Sequence, residues 1–148
     1  MPDQRSDSGP GAAKPNRRQK REVRAAYVDA VNGADVFLVA IVFRGGWVDG
    51  MAMRKGFSGS EDLEGWLGSL AYFEELHGVA IGGDLLELLC CGGAGRVAAW
   101  LEGKGKRVMP LVLRNAKQAG VIMEGLRSYA GKAGVLPCSG AEDAASCR

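Results

Sequence analysis

The sequence predicts an α/β fold built on one mixed sheet, with the element order β-β-β-α-β-α-β-α. Three observations predict this class. Residues 23–56 carry apolar stretches separated by turn signals, which is typical of antiparallel strands. From residue 58 onward, apolar residues recur at helical spacing. Two further strand-like segments lie between these helical stretches, and strands that alternate with helices pair in parallel.

The chain has the size and composition of a single globular domain. It contains 148 residues, of which 47% are hydrophobic and 24% are charged, and these values are typical of a protein with one core. No apolar run approaches the roughly 20 residues that span a bilayer. The N-terminus is polar and basic and has no apolar stretch of the kind that a secretory signal needs. We therefore expect a cytoplasmic protein without a membrane partner.

The first half of the chain predicts a three-stranded antiparallel meander. Residues 23–31 form the first predicted strand, and Asn32-Gly33 follows as a hairpin turn, since both residues tolerate positive φ. The second strand, residues 35–45, is almost continuously apolar, as a central strand covered on both faces would be. Gly45-Gly46 supplies the next turn. Residues 47–56 form the third strand, whose side chains alternate between two faces.

Further helices and strands are predicted beyond the meander. In chain order they are a helix over residues 58–70, a strand over 72–83, a helical region in two pieces over 84–91 and 95–105, a strand over 107–114, and a helix over 116–134. Ser60 precedes two acids and is predicted to cap the first helix. Pro110 cannot donate a ladder hydrogen bond, which places the last strand at a sheet edge or at a bulge. The resulting order is that of a ribonuclease H-like fold.

The two ends of the chain differ in composition from its middle. Residues 1–24 hold seven Lys and Arg against three Asp and Glu, a balance of +4, whereas the remaining chain has a balance of −2. We predict a disordered basic tail over 1–21, a domain over 22–137 and a flexible C-terminal tail over 138–148. The basic tail is either a solvated leader or an arm that contacts DNA or RNA phosphates. In the second case the contacting residues are Arg17, Arg18, Lys20 and Arg21.

Four segments occur in an order that resembles a known family. They are "VRAAYVDAV", "VFLVAIVFRGGWVDGM", "LHGVAIGGDLLELL" and "VMPLVLR". The chain is similar, over about residues 23–130, to the archaeal domain-of-unknown-function family ninety-nine, which is related to endonuclease V. The stretch Arg44-Gly45-Gly46-Trp47-Val48-Asp49-Gly50 is the most specific part of the resemblance. The resemblance implies a ribonuclease H-like fold in which carboxylates hold one or two Mg²⁺ ions, and such ions would assist hydrolysis of a phosphodiester in DNA or RNA.

The residues that the resemblance places in this site match the family only in part. Asp29 occupies the position of the family's first-strand carboxylate, and Ala30 occupies the position of the family's second acid. His77 stands at the fourth-strand acid, and Asp84 in the following turn is a substitute. The candidate catalytic residues are therefore Asp29, which the resemblance implies, and His77, which would act as a base near neutral pH. The candidate metal ligands are Asp29, Asp84, Glu61 and Asp49.

Each of these residues also has a structural interpretation. Asp29 would face water at a strand end, Asp84 would be the N-cap of the next helix, and His77 would be structural. Asp49 would form hydrogen bonds across its turn. Arg44 would contact phosphate beside backbone N–H groups of the two following glycines, or it would simply precede a β-turn.

Two functions of different classes follow from these observations. The first is a metal-dependent nuclease of the endonuclease V-related class, built on Asp29. The second is a non-catalytic binding module that kept the fold and lost the site. His77 and Ala30 favour the second function, because a neutral imidazole and a methyl group replace hard, negatively charged ligands. The basic tail is compatible with both.

A third hypothesis, binding of a dinucleotide, depends on one motif. Residues 93–98 fit G-x-G-x-x-A, whose glycines let a pyrophosphate approach a helix N-terminus. The preceding segment lacks β-branched residues, the following helix is short, and the next strand ends in Arg114 and not in a ribose-binding acid. These observations make this hypothesis the weakest of the three.

The four cysteines do not predict a metal centre. The sequence has no C-x-x-C spacing and a single histidine, which a structural zinc site would rarely tolerate. Cys90 and Cys91 are adjacent, and disulfide geometry does not favour pairing between neighbours. Both lie in an apolar run and are predicted to be small core residues.

Overall fold

A computed structural model describes residues 23–90 and 92–133 of the chain. The strands are β1 (Arg24–Asn32), β2 (Val36–Arg44), β3 (Trp47–Lys55), β4 (Leu76–Ile81) and β5 (Arg107–Val108). The helices are α1 (Ser60–Gly68), α2 (Gly83–Leu88), α3 (Gly93–Gly103) and α4 (Leu113–Ala133), with a 3₁₀ turn at Phe73–Glu75. The two predicted tails, including Arg17, Arg18, Lys20 and Arg21, lie outside the described residues.

The strands form one mixed sheet in the order β3-β2-β1-β4-β5. β1 pairs antiparallel with β2, and β2 pairs antiparallel with β3. β1 pairs in parallel with β4, and β4 pairs in parallel with β5. The predicted α/β class, the mixed sheet and the meander are therefore confirmed.

Helices cover the sheet on both faces. β2 is buried from Phe37 through Phe43, as its apolar run predicted. On one face, α1, α2 and α3 pack against β1 and β2 through a large cluster that includes Leu63, Leu85 and Leu101. On the other face, α4 packs through a smaller cluster that includes Met123. Side chains of a strand alternate between faces, so β1 contributes to both clusters.

Both predicted helix caps are wrong: the N-cap of α1 lies one residue earlier than predicted, and that of α2 lies two residues earlier. Gly59, at φ 118°, is the N-cap of α1, and Ser60 is the first helical residue. This φ lies in a region that favours glycine, so the backbone of the turn selects the cap. Gly82 is the N-cap of α2, and Asp84 lies inside its first turn.

The last strand is shorter than predicted, and the last helix is longer. β5 ends at Val108, followed by one further bond from Met109 N–H to the carbonyl oxygen of Val79. Pro110 has no N–H with which to continue the ladder. The strand lies at the sheet edge, as predicted, and the chain enters α4 at Leu113, three residues before the predicted start.

The prediction that Cys90 lies in the core is wrong. Leu85 and Leu89 form the buried side of the segment that contains α2, and Cys90 is exposed. Adjacent residues of a helical segment point about 100° apart, which turns Cys90 away from the core. Cys91 lies outside the described residues. No helix in the described part of the chain is long and apolar enough to span a membrane.

Candidate functional site

The Asp29 carboxylate is fully buried and accepts four hydrogen bonds. Oδ1 accepts the N–H of Ala30 at 2.8 Å and the N–H of Leu85 at 3.0 Å. Oδ2 accepts the hydroxyl of Tyr27 at 2.6 Å and Nη2 of Arg127 at 3.2 Å. The expectation that Asp29 faces water is therefore wrong, since its exposure is 0%. A buried carboxylate is tolerated only when it is bonded in this way.

A glycine at the end of β4 makes room for this carboxylate. Gly82 donates its N–H to the carbonyl oxygen of Val28 at 2.8 Å, which continues the β1–β4 pairing by one residue. A Cβ atom at Gly82 would lie less than 3.0 Å from Asp29 Cγ and from Tyr27 Oη. Only glycine therefore lets the first turn of α2 approach closely enough for Leu85 to reach Asp29.

Arg127 of α4 lies between two carboxylates. Its Nη2 atom is 3.2 Å from Asp29 Oδ2 and 3.2 Å from Asp84 Oδ2. The two carboxylate oxygens are thus no more than twice this distance apart. The Asp29 side chain is 1% exposed, whereas those of Asp84 and Arg127 are about two-fifths exposed. A guanidinium cation therefore closes the pair of acids at the protein surface.

Tyr27 completes the group around Asp29. It lies two residues earlier on β1, so both side chains point to the same face of the sheet. Burial, and then the hydrogen bond to Asp29, raise the pKa of the Tyr27 hydroxyl well above its usual range. Tyr27 therefore stays protonated and donates to Asp29. We call Tyr27, Asp29, Asp84 and Arg127 the Asp29 cluster.

The predicted metal ligands are not assembled. Of Asp84, Glu61 and Asp49, only Asp84 lies beside Asp29. Glu61 lies on α1 and pairs with Arg96 at 3.3 Å. Asp49 lies on β3 and accepts Nε of Arg24 at 2.8 Å. Among residues 23–90 and 92–133, no group of three or more His, Cys, Asp or Glu could hold a metal ion.

The donor set around Asp29 does not fit Mg²⁺. A carboxylate has about four acceptor positions, and protein donors occupy four on Asp29. The Arg127 guanidinium also fills the space between Asp29 and Asp84. A magnesium ion needs near-octahedral oxygen ligands and keeps several waters, which this packing does not offer.

His77 does not lie near Asp29. It is exposed at the start of β4, where Leu76 pairs with Arg24 and Gly78 pairs with Ala25. Asp29 lies beyond Val28, which pairs with Ile81 at the far end of the same strand. The expectation that Asp29 and His77 belong to one catalytic site is therefore wrong. His77 instead lines, together with Gly45, an apolar cavity of about 250 Å³.

The Gly45-Gly46 turn forms as predicted. Gly45 has a φ of 60° and donates its N–H to the carbonyl oxygen of Val23 at 3.2 Å. Arg44 is exposed at the end of β2, and its Nε atom is 3.9 Å from Asp49 Oδ1. Asp49 therefore faces two arginines, Arg24 and Arg44, and its hydrogen bond goes to Arg24 on β1 and not across the turn.

The segment of the dinucleotide motif has a different structure from the one that this motif requires. Gly93 and Gly95 lie within α3, and the preceding element is the helix α2. A dinucleotide fingerprint needs a strand, a tight turn and then a helix. This segment therefore lacks the context that would support the third hypothesis.

Comparison with known proteins gives a distant structural neighbour but no family. No family model matches the chain, and no curated protein matches it. Among solved structures, the chain is similar to the crystal structure of a protein of unknown function from Archaeoglobus fulgidus DSM 4304. The identity is 15% and the TM-score 0.44, over 74% of this chain and 66% of that chain. This chain therefore spans just under two thirds of its neighbour, and a likeness at this level carries no argument about function.

Two members of the Asp29 cluster were not predicted from the sequence. Tyr27 had a usable signal, because it stands two positions before Asp29 in a predicted strand and must share its face. Arg127 had none, because it follows Asp29 by 98 residues and is one of several basic residues on a helix.

Proposed function

We propose that this chain is a non-hydrolytic, cytoplasmic nucleic-acid-binding module with a ribonuclease H-like sheet. The observation that carries the proposal is the position of Arg127, whose guanidinium lies 3.2 Å from both Asp29 and Asp84. A nuclease of this fold would hold a metal ion with its first-strand acid. Here an arginine neutralises that acid permanently.

The finer assignment of the fold is supported by the sheet. The order β3-β2-β1-β4-β5, with three antiparallel strands followed by parallel ones, agrees with the element order expected for a ribonuclease H-like fold. Asp29 stands on the central strand β1, where the family resemblance places the first-strand carboxylate. The proposal thus treats Asp29 as an inherited position whose chemistry has changed from metal binding to structural support.

The case against hydrolysis is chemical. Metal-assisted attack on a phosphodiester needs carboxylate oxygens that are free to bind the cation. Asp29 has no such oxygen, and Asp84 is held by Arg127. Exchange of the guanidinium for Mg²⁺ would leave the buried Asp29 without one of its four donors and would require Arg127 to leave the cluster.

The case for nucleic acid rests on charge. Residues 1–24 have a balance of +4, while the rest of the chain has −2. The described chain begins at Val23, whose carbonyl oxygen lies beside Gly45. The basic segment is therefore joined to the fold next to the exposed Arg44. Clusters of Lys and Arg attract the phosphate backbone without sequence preference.

We expect the protein to show no metal-dependent cleavage. Labelled single- and double-stranded DNA and RNA should stay intact with Mg²⁺ or Mn²⁺, and calorimetric titration with Mn²⁺ should show no saturable heat. Binding of the same strands, measured by mobility shift, should be equal with and without EDTA. The matched variant is Asp84→Asn, which removes a partly exposed acid. If the wild type cleaves a strand and Asp84→Asn does not, the proposal is contradicted.

Removal of the basic tail should flatten the salt dependence of binding. The slope of log K against log salt falls by about 0.7 for each lost phosphate contact on a single strand, so loss of four contacts should lower it by roughly 3. The measurement compares the full chain with a chain lacking residues 1–21. A full-length variant with Arg17, Arg18, Lys20 and Arg21 changed to Gln controls for length. An unchanged slope in both would remove the tail from the interface.

A further inference from the structure

An exposed tryptophan stands at the turn between β2 and β3. Trp47, the first residue of β3, is 71% exposed. The other two tryptophans, Trp66 and Trp100, pack partly against the large core cluster. Aromatic rings bury about 150–250 Å² in cores and interfaces, so the open ring of Trp47 offers a large flat contact area to a ligand.

The turn that carries this ring is held from two sides. Gly45 donates its N–H to the start of β1, at the carbonyl oxygen of Val23. The Gly45 carbonyl oxygen accepts a hydrogen bond from Nδ2 of the buried Asn115, in the first turn of α4, at 3.1 Å. A ring mounted on a fixed turn loses little further freedom when a ligand binds.

Two arginines lie near the turn that carries the ring. Arg44 lies directly opposite Trp47 in the β2–β3 register, and its side chain is 51% exposed. Arg114 is exposed at the start of α4, and a Cβ atom on Gly46 would lie less than 3.0 Å from its Nη1 atom. The Arg114 guanidinium therefore lies over the turn itself. We call Trp47, Arg44 and Arg114 the Trp47 platform.

Among the described residues, arginines outnumber carboxylates around the platform. Its nearby carboxylate, Asp49, is 20% exposed and faces both Arg44, at 3.9 Å, and Arg24, at 2.8 Å. Glu75 also pairs with Arg24. Arg24 thus pairs with both acids, and Arg44 lies near Asp49. The basic segment of residues 1–24 joins the fold at the same turn. This surface therefore offers a polyanion both electrostatic attraction and an apolar ring for contact.

We propose that the Trp47 platform is a docking site for single-stranded nucleic acid. One unpaired base stacks on the Trp47 ring, and the flanking phosphates contact Arg44 and Arg114. A single strand fits this surface better than a duplex, because its base faces are free to stack, and base–aromatic stacking tolerates any sequence. This inference rests on the proposed function and adds the position of the interface and the class of strand.

The test compares two fluorescently labelled twelve-nucleotide strands on the full chain, one of dT and one abasic with the same phosphates. We expect Trp47→Ala to weaken binding of the dT strand about 5- to 100-fold and Trp47→Phe to weaken it less, as a lost stacking contact predicts. Binding of the abasic strand should change little. The control is Tyr129→Ala, which removes another exposed aromatic side chain, 51% exposed and about 22 Å from Arg114 along α4.

The salt dependence separates the ring from the arginines. Arg44→Gln and Arg114→Gln should each lower the salt slope by about 0.7, while Trp47→Ala leaves the slope unchanged. If the wild type binds the dT strand and Trp47→Ala binds it equally well, the platform is wrong while the proposed function stands. If the wild type binds neither strand, the proposed function itself fails. If Trp47→Ala instead disrupts only self-association in sedimentation, the platform is a protein contact and the inference is overturned.

Discussion

Replacing Asp29 with alanine should lower the free energy of unfolding by about 2–5 kcal/mol, because buried donors left without an acceptor cost about 1–3 kcal/mol each. The substitution removes the acceptor of three hydrogen-bond donors: the N–H of Leu85, the hydroxyl of Tyr27 and the guanidinium of Arg127. It also leaves the first turn of α2 without its acceptor. Natural domains have only about 5–15 kcal/mol in total, so this loss is a large share. Urea denaturation followed by circular dichroism measures it.

The matched control is Asp84→Ala. Asp84 pairs with the same Arg127 atom but is 41% exposed, and exposed pairs contribute about 0–1 kcal/mol. We therefore expect a small loss for Asp84→Ala beside a large one for Asp29→Ala. Equal small losses in the two variants would mean that the buried carboxylate does not support the fold.

Gly82→Ala should be the second most damaging single change, at about 3 kcal/mol, which is the upper end of the cost of overpacking a core. The added methyl group would meet Asp29 Cγ and Tyr27 Oη at less than 3.0 Å. Either Asp29 turns away and loses donors, or α2 moves off the end of β4. Thermal and urea unfolding of the variant measure the loss.

Gly83→Ala is a control of the same chemistry one residue later. Nothing lies within 4 Å of a Cβ atom at Gly83, which is exposed at the first position of α2. Adding a methyl group there should be neutral or should stabilise the protein by up to about 1 kcal/mol, because it restricts the unfolded chain. A comparable loss at both positions would show that the helix start, and not the contact with Asp29, controls the effect.

The sheet could be predicted from local pattern, and the element boundaries could not. The apolar run of β2 and the Gly45-Gly46 turn specify a central strand and a hairpin almost without tertiary information. The start of α2 is different, because Asp29 on another strand accepts the N–H of Leu85, 56 residues away. No local capping residue is then needed, and a sequence pattern that looks for one selects Asp84.

The sequence indicated the position of the Asp29 cluster but not the role that Asp29 has in it. The sequence singled out Asp29 because an acid is unusual within an apolar strand. Whether such an acid binds metal, faces water or supports the fold depends on its donors, and two of the four, Leu85 and Arg127, come from residues far away along the chain. His77 was placed in the same site as Asp29 because it occupies the family's fourth-strand position in the sequence. The register between β1 and β4 instead puts the two residues at opposite ends of the paired strands.

The Asp29 cluster also affects when the sheet can fold during synthesis of the chain. Arg127 follows Asp29 by 98 residues, which a ribosome adds in roughly 5–20 s. Throughout that interval Asp29 lacks its cationic partner, and burial of an unpaired carboxylate is costly. The first strand is therefore expected to remain hydrated until α4 has emerged. We therefore expect the sheet to fold in one late, cooperative step during synthesis, and not strand by strand as the chain emerges.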